Sequence, residues 1–109
     1  QTIEDTTKTF DELYPQFMPL KRPAGTHPEA SFGHLNGYDA AYYGYQWALA
    51  IAHDVASRFF TEGLMNPATG AAYREAILSQ GDSADGYALV ERFLGRKPNN
   101  EAYKKYLGL

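Results

Sequence analysis

Residues 39–60 read DAAYYGYQWALAIAHDVASRFF, and this stretch decides the fold class. Ala40, Ala41, Ala48, Ala50, Ala52 and Ala56 supply strong helix propensity. Asp39 suits a helix start, where a carboxylate meets unpaired amide groups and the positive end of the dipole. The spacing predicts one long helix from about Asp39 to Phe60. It is apolar almost all round, with Asp54 and Arg58 as its only charges beyond Asp39 at its start. Such a helix is normally buried, often in a protein larger than a chain of this size. It is not a membrane span, because the longest purely apolar run covers only Trp47 to Ala52.

The flanking sequence keeps the same helical period, and no segment alternates in the manner of a strand. Upstream, a helix is expected from about Asp5 to Tyr14. Asp5 or Thr6 caps it, Phe10, Leu13 and Tyr14 share a face, and Pro15 lies just beyond. Between Phe17 and Gly37 the chain holds Pro19, Pro23, Gly25, Pro28 and Gly33, which makes a long irregular connection. Downstream, Asn66 and Pro67 open a helix that runs to about Ser79 before Gly81. Asp82 or Ser83 caps the next, with Tyr87, Leu89, Val90, Phe93 and Leu94 in its interior and Gly95 left-handed at its end. A last helix spans about Asn100 to Tyr106. The expected fold is all-α, an irregular helical bundle.

A length of 109 residues allows one domain. The formal net charge of −3 leaves no basic footprint for nucleic acid or an anionic membrane. The absence of cysteine removes disulfides and thiol chemistry, and points to a reducing, cytoplasmic compartment. No secretory signal opens the chain, which begins at Gln1 and reads as a fragment.

Chemistry-bearing residues gather at the start of the long helix. Tyr38, Tyr42, Tyr43, Tyr45 and Trp47 fall within ten positions, and Tyr pairs a large ring with a hydroxyl that needs a partner. Tyr38, Tyr42 and Tyr45 are spaced i, i+4 and i+7, hence on one face if the helix begins by Tyr38. Gly44 between them leaves room for another backbone. Gly33 and Gly37 bracket His34 in a loop from Phe32 to Gly37 suited to closing over a ligand. Imidazole and phenol donors can hold a peptide or an oxyanion. Stacked tyrosines bonded to buried carbonyls would give the same spacing.

The remaining constellations are weak. His27, Glu29 and His34 read H-x-E-x4-H, but the two histidines are seven apart, and Pro28 and Gly33 disfavour a regular helix between them. No metal site is read from them. His53 is expected to be packed or on the helix surface. Neither a Ser-His-Asp arrangement nor a phosphate loop is present, so the chain is not a self-sufficient enzyme.

The run Ser31-Phe32-Gly33-His34-Leu35-Asn36-Gly37-Tyr38-Asp39-Ala40-Ala41-Tyr42-Tyr43-Gly44-Tyr45-Gln46-Trp47 closely resembles a segment of the thimet oligopeptidase and dipeptidyl carboxypeptidase family of zinc metallopeptidases. The resemblance continues through Ser57-Arg58-Phe59, Gly63-Leu64-Met65-Asn66-Pro67, Phe93-Leu94-Gly95-Arg96-Lys97-Pro98 and Tyr106-Leu107-Gly108-Leu109. It implies the C-terminal part of a larger, bilobed helical enzyme that cleaves short peptides, as an oligopeptidase or peptidyl-dipeptidase. Zinc would be bound in the full-length enzyme by an H-E-x-x-H helix and a further Glu, both upstream and absent from these residues. By position in the motif, Tyr45 and Tyr38 would stabilise the oxyanion, and His34, Tyr38, Tyr42 and Tyr45 would bind substrate. Family members often have an extra Gly between the His and the first Tyr, so the shorter spacing here changes the reach of His34. The implied partners are short peptides and the upstream part of the same polypeptide. The segment alone would bind no metal, be inactive and self-associate through exposed apolar surface. A free-standing, non-catalytic helical module binding a peptide or protein through the tyrosine face is the alternative.

Overall fold

The computed structural model describes residues 5–109, and among them the regular elements are all helical. The fold is all-α, as the periodicity requires. The chain divides into two compact units, one ending at Tyr42 and one spanning Tyr43–Leu109.

The first unit is built on α1 (Thr6–Phe17) and the single turn α2 (Pro28–Ser31). Asp5 caps α1, its carboxylate accepting the Lys8 N–H at 2.9 Å. The helix runs on through Pro15, where an end was expected, and closes with the Met18 N–H on the Tyr14 carbonyl. Pro15 lacks only the donor that would reach Asp11, and the residues after it supply their own. Thr7 joins α1 to α2 by donating to Glu29 Oε1 at 2.6 Å, with His27 Nδ1 3.3 Å from the same oxygen. That Thr7 bond, with smaller help from His27, holds the Glu29 carboxyl below its ordinary range. Arg22 pairs with Asp11 and lies over the Phe10 ring. No described helical residue of this unit is buried.

The second unit contains α3 (Gly44–Glu62), α4 (Pro67–Ala76), α5 (Gly86–Leu94) and α6 (Glu101–Leu107). α3 begins five residues later than Asp39. Ala40 takes a left-handed backbone (φ 58°), which no helix can contain, and Tyr38–Tyr43 forms turns instead. Asp39 therefore caps nothing; the N-cap position falls to Tyr43, which offers no side-chain bond. Asn66 and Pro67 open α4 as expected, with Asn66 accepting the Ala68 N–H. α4 ends at Ala76, short of Ser79, and passes into a 3-10 turn over Leu78–Gln80 before Gly81. Asp85 caps α5, rather than Asp82 or Ser83, by accepting the Ala88 N–H at 3.1 Å. Gly95 sits left-handed (φ 69°, ψ 12°) after α5, as read from the sequence.

The interior of this unit is small. Leu89 and Phe93 of α5 are its buried apolar side chains, with Thr69 and Asp54 as buried polar ones. Phe93 lies 5.8 Å from the Phe59 ring and meets Tyr73 edge-on at 5.5 Å. Arg58 covers the same ring, donates to the Phe93 carbonyl and pairs with Glu62 at 2.8 Å. Glu62 also accepts the Thr69 hydroxyl at 2.5 Å. The Thr69 bond and then Arg58 keep the Glu62 carboxyl below its usual range.

The chain exposes 8678 Å². Large apolar side chains are well represented on this surface: Tyr43 (70%), Phe60 (70%) and Trp47 (63%) all lie on or beside α3. Among the described residues no helix is long and apolar enough to cross a membrane.

Candidate functional site

His34 lies in a short 3-10 turn, Gly33–Asn36, that follows directly on α2. Its carbonyl accepts two successive amides, Gly37 at 3.2 Å and Tyr38 at 2.8 Å, which turns the chain back so that Tyr38 faces the imidazole. The His34 and Tyr38 rings meet edge-to-face at 5.4 Å and 89°. The Ala41 N–H bonds to the Tyr38 carbonyl, and this second turn brings Tyr42 to 5.6 Å from His34. Phe32 completes the group, edge-on to Tyr42 at 5.3 Å and to His34 at 5.7 Å. The separations lie in the range where aromatic pairs attract through their quadrupoles.

Three of the four expected site residues are thus gathered in the first unit. Turns gather them, however, and not a helix face. Tyr38 and Tyr42 precede α3, so the i, i+4, i+7 reading is corrected; the left-handed Ala40 delays the helix until Gly44. Tyr45 stands in the first turn of α3, in the second unit. Tyr38, Tyr42 and Tyr45 each keep between 42% and 45% of their surface exposed, enough for a ligand to reach them. Gly33 and Gly37 are not needed for tight packing, since a methyl group at either would meet no described atom within 4 Å. The same holds for Gly44, where a close backbone was expected.

His53 is packed, stacked on Tyr106 at 4.2 Å. His27 and Glu29 share Thr7, and His34 belongs to the ring cluster. Among the described residues no three His, Asp or Glu side chains converge where a metal ion could be held.

One arrangement escaped the sequence reading. Asp54, 1% exposed in the middle of α3, accepts two N–H bonds from the Arg96 guanidinium at 2.6 and 2.9 Å. It also accepts the Asn99 amide at 2.8 Å. Burial would raise its pKa, but the Arg96 bonds, the Asn99 bond and the Arg96 charge together hold the carboxyl below its ordinary range. Arg96 rises correspondingly through its bonds to Asp54. The available signal was a lone acid in the centre of an otherwise apolar helix, which must find a cation or a set of donors. Phe32 was read as part of the loop but not as a member of the ring group.

The sequence profile of peptidase family M3 matches residues 1–109. This chain belongs to that family. It is 42% identical over 86 residues to the thimet-like oligopeptidase of Dictyostelium discoideum, covering 78% of this chain and 13% of the relative. Oligopeptidase A of Escherichia coli is 41% identical over 87 residues, again 78% of this chain and 13% of the relative. Saccharolysin of Saccharomyces cerevisiae is 40% identical over 81 residues, 72% of this chain and 11% of the relative. The chain therefore spans about an eighth of the length of these proteins.

Proposed function

We propose that this chain forms the substrate-binding and transition-state-stabilising C-terminal portion of a zinc metallopeptidase that hydrolyses short peptides. The observation that carries the reading is the His34–Tyr38–Tyr42 cluster, an imidazole and two half-exposed phenols within ring contact on one loop. Family membership and the name oligopeptidase borne by its relatives supply the substrate class. Tyr45, with Tyr38, donates to the oxyanion that develops as the scissile carbonyl is attacked. His34, Tyr38 and Tyr42 hold the peptide. The metal of the intact enzyme is held by residues outside this segment. What the segment contributes is binding and charge stabilisation, and it has no peptidase activity alone. Its apolar α3 surface packs against the rest of the same polypeptide, and the isolated fragment self-associates through it. The enzyme is cytoplasmic.

The test is steady-state kinetics of the intact peptidase on a short peptide. Tyr45→Phe should lower kcat on the order of 10²–10³ with KM little changed, because an oxyanion donor acts mainly in the transition state. His34→Ala should raise KM and lower kcat together. Undiminished turnover in Tyr45→Phe overturns the oxyanion role.

A further inference from the structure

The first turn of α3 lacks the usual means of holding a helix start. Tyr43 at the N-cap makes no side-chain bond, Gly44 is a poor first residue, and Ala40 just upstream is left-handed. Helix ends without caps fray. A long-range side-chain bond nevertheless ties this turn down. The Tyr103 hydroxyl, from the middle of α6, donates to Gln46 Oε1 at 2.8 Å across 57 residues of sequence. Tyr103 is itself well anchored. Asn99, four residues earlier, bonds the buried Asp54; the Tyr106 ring stacks on His53, and the Tyr103 ring lies tilted 5.9 Å from it. α6 is therefore fastened to the middle of α3 and reaches back to its first turn.

We propose that Tyr103 is a positioning residue: through Gln46 it fixes the first turn of α3 and so the direction from which Tyr45 presents its hydroxyl. Gln46 follows Tyr45 directly, so restraining one backbone restrains the Cα–Cβ bond of the other. The catalytic part of this inference rests on the role given to Tyr45 above; the tether itself does not.

The experiment uses the intact peptidase and two readouts, kinetics on a short peptide and amide hydrogen exchange over residues 44–49. Tyr103→Phe keeps the ring and removes one donor. It should lower kcat by about fivefold to tenfold, the scale of one exposed hydrogen bond, with KM within about twofold. Exchange over 44–49 should quicken by a similar factor. Gln46→Leu should reproduce both effects, whereas Gln46→Glu, which keeps an acceptor for the phenol, should retain near-parental kcat. In the Tyr45→Phe background, Tyr103→Phe should cost little more. Unchanged exchange over 44–49 in Tyr103→Phe overturns the tether, whatever Tyr45 does. Quickened exchange with unchanged kcat, or a kcat loss that persists in full in the Tyr45→Phe background, overturns the positioning role. A silent Tyr45→Phe variant overturns instead the functional reading on which that role rests.

Discussion

The unit that ends at Tyr42 and the unit that begins at Tyr43 are both helical, yet different forces hold them. The second surrounds Phe93 with Phe59, Tyr73 and Arg58, and buries a carboxylate under three donors. The first has no buried described residue in any helix and relies on surface bonds such as Thr7 to Glu29 and Arg22 to Asp11. Its ring cluster is set by consecutive turns at His34 and Tyr38 rather than by an interior. The ring cluster proposed to hold substrate thus sits where stability is most local, a property suited to the proposed binding loop. The buried packing and the proposed recognition cluster are separated along the sequence.

The largest perturbation should come from Phe93→Ala, which empties the centre of the second unit. A loss of about 3–5 kcal/mol is expected for a fully buried ring. Hydrogen exchange should quicken across α3, α4 and α5 while α1 exchanges as before. Equal loss of protection in α1 would break the contrast and show one cooperative body.

Arg96→Met comes next, at about 3 kcal/mol near neutral pH, because it strands a buried charge. Asp54 has a folded pKa below its unfolded value of about 3.9. In the parent this stabilisation is fully present above about pH 5 and is lost as pH falls through the folded value. Denaturation curves between pH 7 and pH 3 should therefore show the gap between parent and variant narrowing in acid. A gap of constant size would mean that Asp54 and Arg96 are not coupled in this way.

The smallest effect should be Ala40→Gly, which relieves a left-handed alanine. About 1 kcal/mol of stabilisation is expected, confined to the Tyr38–Tyr43 turns. Exchange at those amides should slow, with α3 beyond its first turns unchanged. Faster exchange there would show that the alanine conformation is held by something other than the turn.

Much of this architecture is legible in the sequence because its signals are local. Asn66-Pro67, Gly95 and the last helix each read correctly from a few adjacent residues. Where several caps stand in a row, as in Gly81-Asp82-Ser83-Ala84-Asp85, periodicity cannot choose among them, and the chain uses the last. The helix start misread at Asp39 has a different cause. Alanine-rich sequence favours helix everywhere, whereas the backbone of Ala40 is fixed by the bonded turns on either side of it. The same error put Tyr38 and Tyr42 on a helix face, although the residues themselves were correctly grouped with His34. Asp54 pairs with a residue 42 positions away, and no local spacing encodes that distance.

The bond between Asp54 and Arg96 has a further consequence for the integrity of the chain. Between them lies the exposed turn at 81–85, a favoured place for a protease to cut. A single cleavage there would separate α3 and α4 from α5 and α6 covalently, but the Arg96 and Asn99 bonds to the Asp54 carboxylate, and the Phe93 cluster, would bridge the break. The two pieces should therefore remain associated after nicking, and separately expressed halves ending and starting in this turn should find each other. A segment fastened in this way tolerates a cut backbone as long as its buried carboxylate stays charged.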